Sequence, residues 1–420
     1  MIKSPFVKAG LGAAVAAALV LSAGCSASHG DPPSATAKHS APARPKRPSD
    51  PPVIERPSTV KHWGSYFGAR KGKNYGIGAS PVALTVPGTV AQVGTSNSTE
   101  YVLLTNGTLY AWGLGTHGEL GDGGTVNSMN QPVQVRFPAG VKIAFIPTDV
   151  MPYDTALAVD TQGHVWGWGL NGGGELCLGN TTTYTTPVRL PFSHVTTLAG
   201  ASNHALYDSS GTVYACGQNV EGDLGTGSMN GTTTPMKVRG LDGSSVTDLV
   251  ASFANSGALL SNGTYFDWGY NANGQLGNGL AGAPSGVPVR VELAHPVAQV
   301  ALGGSIWNNG QTIAMLSNGS LWGWGDDWAG QLGDGARTAQ PSPARFFAPA
   351  GVTYQSLATG SATSYAISTT GKVYAWGVGS LGQVGNGSTL VAAAPVVVAT
   401  HASLISATAN NVLVSVPRRK

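Results

Sequence analysis

The sequence predicts an all-β protein in which seven four-stranded blades close into a ring. Three observations predict it. The first is one phrase repeated six times: TLYAWGLGTHGELGDG from Thr108, HVWGWGLNGGGELCLG from His164, TVYACGQNVEGDLGTG from Thr212, TYFDWGYNANGQLGNG from Thr264, SLWGWGDDWAGQLGDG from Ser320 and KVYAWGVGSLGQVGNG from Lys372. Its anchors Trp112, Trp168, Cys216, Trp268, Trp324 and Trp376 are spaced by 56, 48, 52, 56 and 52 residues. A unit of about fifty residues is too small to bury its own apolar face, so it must stack on neighbours. The second is composition: 60 glycines in 420 residues, with only 10% charged, fits a chain of short strands and many turns. The third is a seventh copy split between the two ends of the chain.

The first 58 residues stand apart from the repeats. Lys3 and Lys8 precede a mostly apolar run from Ala9 to Ala23, which ends Leu21-Ser22-Ala23-Gly24-Cys25. A basic start, an apolar middle and small residues before the cut read as a signal peptide over residues 1–24. The run is too short for a comfortable membrane span. Its ending resembles a bacterial lipoprotein lipobox. That resemblance implies that Cys25 receives lipid, palmitate included, and that the mature chain is anchored to the outer face of a bacterial membrane, at the cell surface or in the envelope. The plainer alternative is a soluble secreted protein with an incidental Cys25. Acyl chains contribute ~0.8 kcal/mol per buried methylene, so a multiply acylated cysteine anchors stably. Residues 25–58 carry eight prolines among Ser, Ala, Lys and Arg. Such a segment buries too little to fold and is expected to be a disordered tether.

Residues 59–420 are the ring. In the copy beginning at Ser193, the expected strands are Val195 to Leu198, His204 to Asp208, Val213 to Cys216, and a fourth beginning at Pro235. Ser210-Gly211 marks a hairpin, and other copies use Asn106-Gly107, Asn262-Gly263 and Asn318-Gly319, a strong hairpin signal. The third strand alternates. Tyr110/Trp112, Trp166/Trp168, Phe266/Trp268, Trp322/Trp324 and Tyr374/Trp376 each put two rings on one face, with mostly small residues between them. These rings read as inter-blade packing rather than a ladder of stacking platforms, because every copy repeats them.

The seventh Trp-Gly is Trp63-Gly64, and its hairpin partner is missing upstream. Two last strands, Ser403 to Ala407 and Asn411 to Val416, end with no third. Seven prolines (Pro81, Pro132, Pro187, Pro235, Pro288, Pro343, Pro395) count seven fourth strands. Residues 59–86 are therefore expected to pair with the C-terminal strands in one shared blade, which removes the free edges that invite aggregation.

These repeats resemble the regulator of chromosome condensation repeat family, whose units read hairpin, W-G, x-N-x-x-G-Q-L-G-x-G and P-x-x-V. Asn273-Gly274-Gln275-Leu276-Gly277-Asn278-Gly279 and Gly330-Gln331-Leu332-Gly333-Asp334-Gly335 carry the likeness, which spans residues 59–420. It implies a seven-bladed β-propeller. The segment after Trp63 matches poorly.

Net charge is +3, but from Thr59 onward 16 Lys/Arg face 17 Asp/Glu. No basic surplus is available for a nucleic-acid face, and none is expected to bind. Gly113 to Gly118 and Gly377 to Gly382 fit a dinucleotide fingerprint but open no helix, so no cofactor is expected. The nine histidines show no metal-ligand spacing, and no catalytic constellation is visible. His204 reads as a packed residue at a strand start. Cys177 and Cys216 either pair in an oxidising compartment or stay free, since they occupy different repeat positions. If Cys216 replaces a Trp, neighbours must fill the gap.

Exposed aromatics near acids and amides are the residues that recognition surfaces use. The expected binding face therefore holds Trp307, Trp328, Asp326 and Asp327, with Tyr153, Phe253 and Tyr270; the alternative is that these residues cap blade ends. Arg70, Lys71 and Lys73 should share that face, and Arg418-Arg419-Lys420 the opposite one. The residues point to a monomeric binding module for a protein ligand. The second readings are an inhibitor of a secreted or cell-wall enzyme, and a glycan-acting enzyme using Asp326 and Asp327.

Overall fold

A computed structural model describes residues 57–65, 77–96, 98–147, 154–201, 203–304, 310–346, 349–409 and 411–416. The signal peptide, Cys25 and the tether up to residue 56 fall outside them, and Ser58, expected in the tether, already opens the first strand. The described residues form seven four-stranded antiparallel sheets. We number the blades 1 (residues 90–134), 2 (143–189), 3 (195–237), 4 (246–290), 5 (297–345) and 6 (354–399). Blade 7 is composite. Its sheet runs β27 (Leu404–Ala407), β28 (Asn411–Val416), β1 (Ser58–Ser65), β2 (Ile77–Val86), so the two ends of the chain share one blade. β1 and β28 pair continuously from Thr59↔Val416 to Gly64↔Asn411.

Within blades 1 to 6 the order of strands follows the chain from the axis outward, and blade 7 starts with the two C-terminal strands instead. First strands of successive blades touch from blade 3 round to blade 1. Six of them carry a register shift near their start, such as Val90/Gln92 and Tyr354/Ser356. A bulge of this kind raises local twist, as a crowded inner strand requires. Second and third strands are mostly buried, with Tyr110, Tyr214, Phe266 and Trp322 half-buried in the third. Fourth strands mix half-buried and exposed positions.

Two expectations change in detail. The seven prolines sit inside the fourth strands rather than at their starts: Pro235 lies in Thr232–Lys237 and Pro395 in Ala392–Ala399. An outer edge lacks a partner on one side and its pairing slips here, so a missing N–H costs little. The Asn-Gly hairpins are three-residue loops. Only the glycine takes positive φ (Gly107 +80°), its N–H donates to Leu104 O at 2.9 Å, and Asn106 Oδ1 accepts from Thr108 N–H. The two-residue turn with both positions left-handed occurs at Ser210-Gly211 (φ 55° and 78°).

One contact repeats between blades. Trp63, Trp112, Trp168, Trp268, Trp324 and Trp376 are fully buried. The indole N–H of Trp168, Trp268, Trp376 and Trp63 donates to the main-chain oxygen of Glu119, Asp223, Gln331 and Gln383 respectively, each in the loop of the preceding blade, at 2.8–2.9 Å. A glycine two residues further on lies flat against the same indole. A Cβ on Gly225 would stand 2.8 Å from Trp268 Nε1, and Gly121, Gly277, Gly333 and Gly385 repeat the approach.

Between blades 2 and 3 both partners change at once. Cys177 replaces the glycine, Cys216 replaces the tryptophan, and the two form a disulfide with Cα atoms 5.5 Å apart. Their different repeat positions are the reason they meet. Tyr207 takes over the lost donor, reaching Glu175 O at 2.7 Å, and Phe192 stacks on Tyr207 at 4.3 Å to fill the volume.

Candidate functional site

The loops joining first to second and third to fourth strands emerge on one face and are hydrogen-bonded to each other. Leu170 N–H donates to Asp154 O, Tyr270 N–H to Ala254 O, and Asp326 N–H to Gly310 O, at 2.8–2.9 Å. The third-to-fourth loop then leans onto the next blade, where Gly123, Gly179, Gly227 and Gly279 donate to that blade's fourth strand. Among the described residues six such loops, those of blades 1 to 6, line this face as a rim.

Of the expected binding residues, Trp328 stands on this rim and is 49% exposed. Phe253 and Tyr270 are half-buried. Trp307, Tyr153, Arg70, Lys71, Lys73 and Arg418 to Lys420 lie outside the described residues. Asp326 and Asp327 require correction, because both are buried. Asp327 Oδ1 accepts Leu332 N–H at 2.7 Å, the bond that Asn171, Asn219 and Asn271 make to Leu176, Leu224 and Leu276. Asp326 Oδ1 accepts Asp327 N–H. Burial raises both carboxyls. Asp327 is pushed to about 7, with Asp334 and Asp326 adding to the rise and the Leu332 N–H opposing it. The pair braces a turn and offers no acid couple to solvent.

Sequence reasoning missed three arrangements. The first looks catalytic: Asp223 Oδ2 lies 3.2 Å from His204 Nδ1, and His204 Nε2 lies 3.0 Å from Ser256 Oγ. All three are buried, Ser256 completely. Ser256 also donates to Asp223 O at 2.8 Å, as Ser364 donates to Gln331 O in a blade interface whose His204 position is Gln311. The hydroxyl proton is committed to an architectural bond, and no substrate reaches the oxygen. Burial further lowers the His204 pKa, against the pull of Asp223. A nucleophile needs an accessible oxygen and a free base, and this array has neither.

The second is a distribution. Among the described residues twelve large apolar side chains are exposed, and eight of them lie in third-to-fourth loops: Val126, Val220, Met229, Leu280, Trp328, Leu381, Leu390 and Val391. The other four lie in fourth strands, and none lies in the loops of the opposite face. Val220 and Trp328 occupy one repeat position, four residues past the anchor. Val220 and Met229 border an open groove of about 530 Å³ floored by Gly172, Gly173, Gly217 and Gly231. Alignment of the copies exposes this signal, since an apolar residue in a turn otherwise polar serves no core.

The third is a cluster on the same rim between blades 1 and 2: His117, Glu119 and Asp154. His117 Nδ1 is 3.3 Å from Asp154 Oδ2, and Glu119 Oε2 accepts His117 N–H at 2.6 Å. Burial raises both carboxyls; each also raises or is eased by its neighbours, Asp154 acting on Glu119 and His117 lowering Asp154.

Comparison with known proteins agrees with this architecture. Residues 106–146, 162–207, 210–258 and 262–306 match the regulator of chromosome condensation (RCC1) repeat. The chain is 28% identical over 292 residues to the E3 ubiquitin-protein ligase HERC2 of Homo sapiens, covering 67% of this chain and 6% of that protein. It is 28% identical over 287 residues to the ultraviolet-B receptor UVR8 of Arabidopsis thaliana, covering 67% and 63%. The chain thus spans less than two thirds of either relative. Human WBSCR16 superposes with a TM-score of 0.74 at 18% identity, over 86% of this chain and all of that one. Prp20p of Saccharomyces cerevisiae, described with binding properties to Gsp1p and histones, superposes at 0.73 and 19%, over 87% and 93%. Repeat, ring and seam together make this chain a seven-bladed β-propeller that carries four matches to the regulator of chromosome condensation repeat.

Proposed function

We propose that the protein is a lipid-anchored, extracytoplasmic propeller that holds a protein partner on the rim built by its third-to-fourth loops. One observation carries the reading: among the described residues, the exposed large apolar side chains that are not on fourth strands all gather on that rim. Scattered exposed apolar residues need no explanation, whereas a one-sided set does. Trp328, half-exposed in a loop braced by buried Asp327, has the character of an interface anchor: a large ring on a fixed support. The sealed Ser256–His204–Asp223 array and the buried acid pair favour binding over catalysis. The leader and Cys25 support anchoring outside the membrane, with residues 25–58 as the tether. That Prp20p binds proteins on a propeller of this repeat type agrees with the reading by analogy.

Crosslinking on intact cells, followed by reconstitution with the purified partner, tests it. Trp328→Ala with Val220→Ser is expected to weaken the complex at least about tenfold, the scale of losing an interface anchor. Capture unchanged in that double variant removes this face. Cys25→Ser is expected to move the chain from the membrane to the soluble fraction and to abolish palmitate labelling. Retention in the membrane fraction removes the anchor.

A further inference from the structure

We propose that His117, Glu119 and Asp154 form a site for a divalent transition-metal ion of the zinc class, clamping blade 1 to blade 2. One ligand atom from each residue lies within 4.8 Å of the other two. Glu119 is fully buried and Asp154 is 8% exposed, yet Glu119 Oε1 and Asp154 Oδ1 have no hydrogen-bond partner. Two buried carboxylate oxygens left unpaired beside an imidazole are costly unless a cation meets them.

The repeat does not require these side chains. At the His117 position the other copies carry Gly173, Glu221, Asn273, Ala329 and Leu381. At the Asp154 position they carry Ser98, Asn203, Ala254, Gly310 and Ala362. At Glu119 the architecture needs one oxygen. Gln275, Gln331 and Gln383 supply it by accepting a main-chain N–H two residues back, at 2.8–2.9 Å. Glu119 makes the same bond with Oε2 and has an oxygen to spare. Three positions thus exceed what the fold demands, and they converge from two blades on one point.

The donor set selects the ion. One imidazole nitrogen with two carboxylates suits a zinc-class dication, with water completing a tetrahedron. Calcium prefers six to eight oxygens, and magnesium keeps its own waters. Ligand bonds of about 2.1 Å set neighbouring donors roughly 3.4 Å apart in a tetrahedron. His117 Nδ1 and Asp154 Oδ2 already stand at 3.3 Å. Thr116 Oγ1 lies 3.5 Å from His117 Nδ1 and competes for it only weakly. The imidazole is partly open to solvent, which provides the way in.

Isothermal titration of the full, chelator-stripped chain with ZnCl2 tests the site without any partner present, so its outcome is separate from that of the docking face. One saturable equivalent is expected, together with a rise in Tm. His117→Ala, a surface change, and Glu119→Gln, which keeps the turn bond, are each expected to weaken zinc binding at least about tenfold and to cancel the Tm rise. No stoichiometric zinc uptake by the parent chain overturns the proposal, as does equal affinity in the two variants. Calcium or magnesium binding in place of zinc overturns the assignment of the ion.

Discussion

Asp327 differs from Asn171, Asn219 and Asn271 only in its terminal group, and the comparison isolates what that group does. All four accept a leucine N–H through Oδ1. The three asparagines also donate through Nδ2 to a loop carbonyl, of Asn180, Ser228 and Leu280. Asp327 Oδ2 has no such partner and is buried. Its folded pKa of about 7 lies above the ordinary carboxylate value, so its contribution to stability is intact below pH ~4 and is lost as pH rises towards 7. Asp327→Asn removes the titration and restores a donor. We expect it to stabilise the chain by on the order of 1–2 kcal/mol at pH 8 and to change little at pH 4. Urea melts at the two pH values check this, and a loss at pH 8 would show that the carboxylate is needed. Nothing in the sequence distinguishes this aspartate from a catalytic acid until its copy is aligned. An adjacent acidic pair beside a tryptophan resembles a site, and only the repeat position reveals a turn brace.

The element-scale unit is the latch between a loop and the next blade's third strand. It joins a glycine, an indole and a main-chain oxygen, and it explains why the phrase keeps W-G and L-G together. Gly333 shows the constraint: φ is +72°, and a Cβ would meet Trp376 Nε1 at 2.8 Å. Gly333→Ala is expected to cost about 2–4 kcal/mol through backbone strain and overpacking, read as a shift in the urea midpoint. The Cys177–Cys216 pair is the same latch in covalent form. Cys177→Gly with Cys216→Trp rebuilds the non-covalent version, so the double variant should lose less than the sum of the single losses, with coupling of about 1–3 kcal/mol. Additive losses would show that the disulfide and the latch are unrelated solutions. Strand order, hairpins and the buried rings were legible in one copy, because alternation and turn chemistry are local. The latch was not, because its partners lie in different copies and meet only when blade is stacked on blade. For the same reason position left the disulfide open, and the His117–Glu119–Asp154 cluster had no recognisable spacing.

On the scale of the whole molecule the ring depends on a seam that no peptide bond crosses. Trp63 in β1 donates to Gln383 O of blade 6, while Val60 and Leu413 pack with Trp112 of blade 1. Blade 7 therefore joins its neighbours on both sides through strands from opposite ends of the chain. The seam was readable from counting: a Trp-Gly without a hairpin at one end and two strands without a third at the other leave a single arrangement. Six blades join their second and third strands by a hairpin of two or three residues, and blade 7 has chain ends there instead. Thr59 pairs with Val416, so a short Asn-Gly loop from Val416 to Ser58 would make blade 7 like the rest. New termini fit in the turn between blades 3 and 4, where Gly240 and Gly243 have no neighbour within 4 Å of an added Cβ. That circular permutant is expected to melt in one cooperative transition at or above the parent Tm, because closure shortens a loop without changing a contact. Deleting residues 404–416 removes half of blade 7 and exposes the faces of blades 1 and 6, and is expected to abolish cooperative melting altogether. A truncated chain that kept six folded blades and the parent Tm would mean that each blade stands alone, and the latches would then carry no stability round the ring.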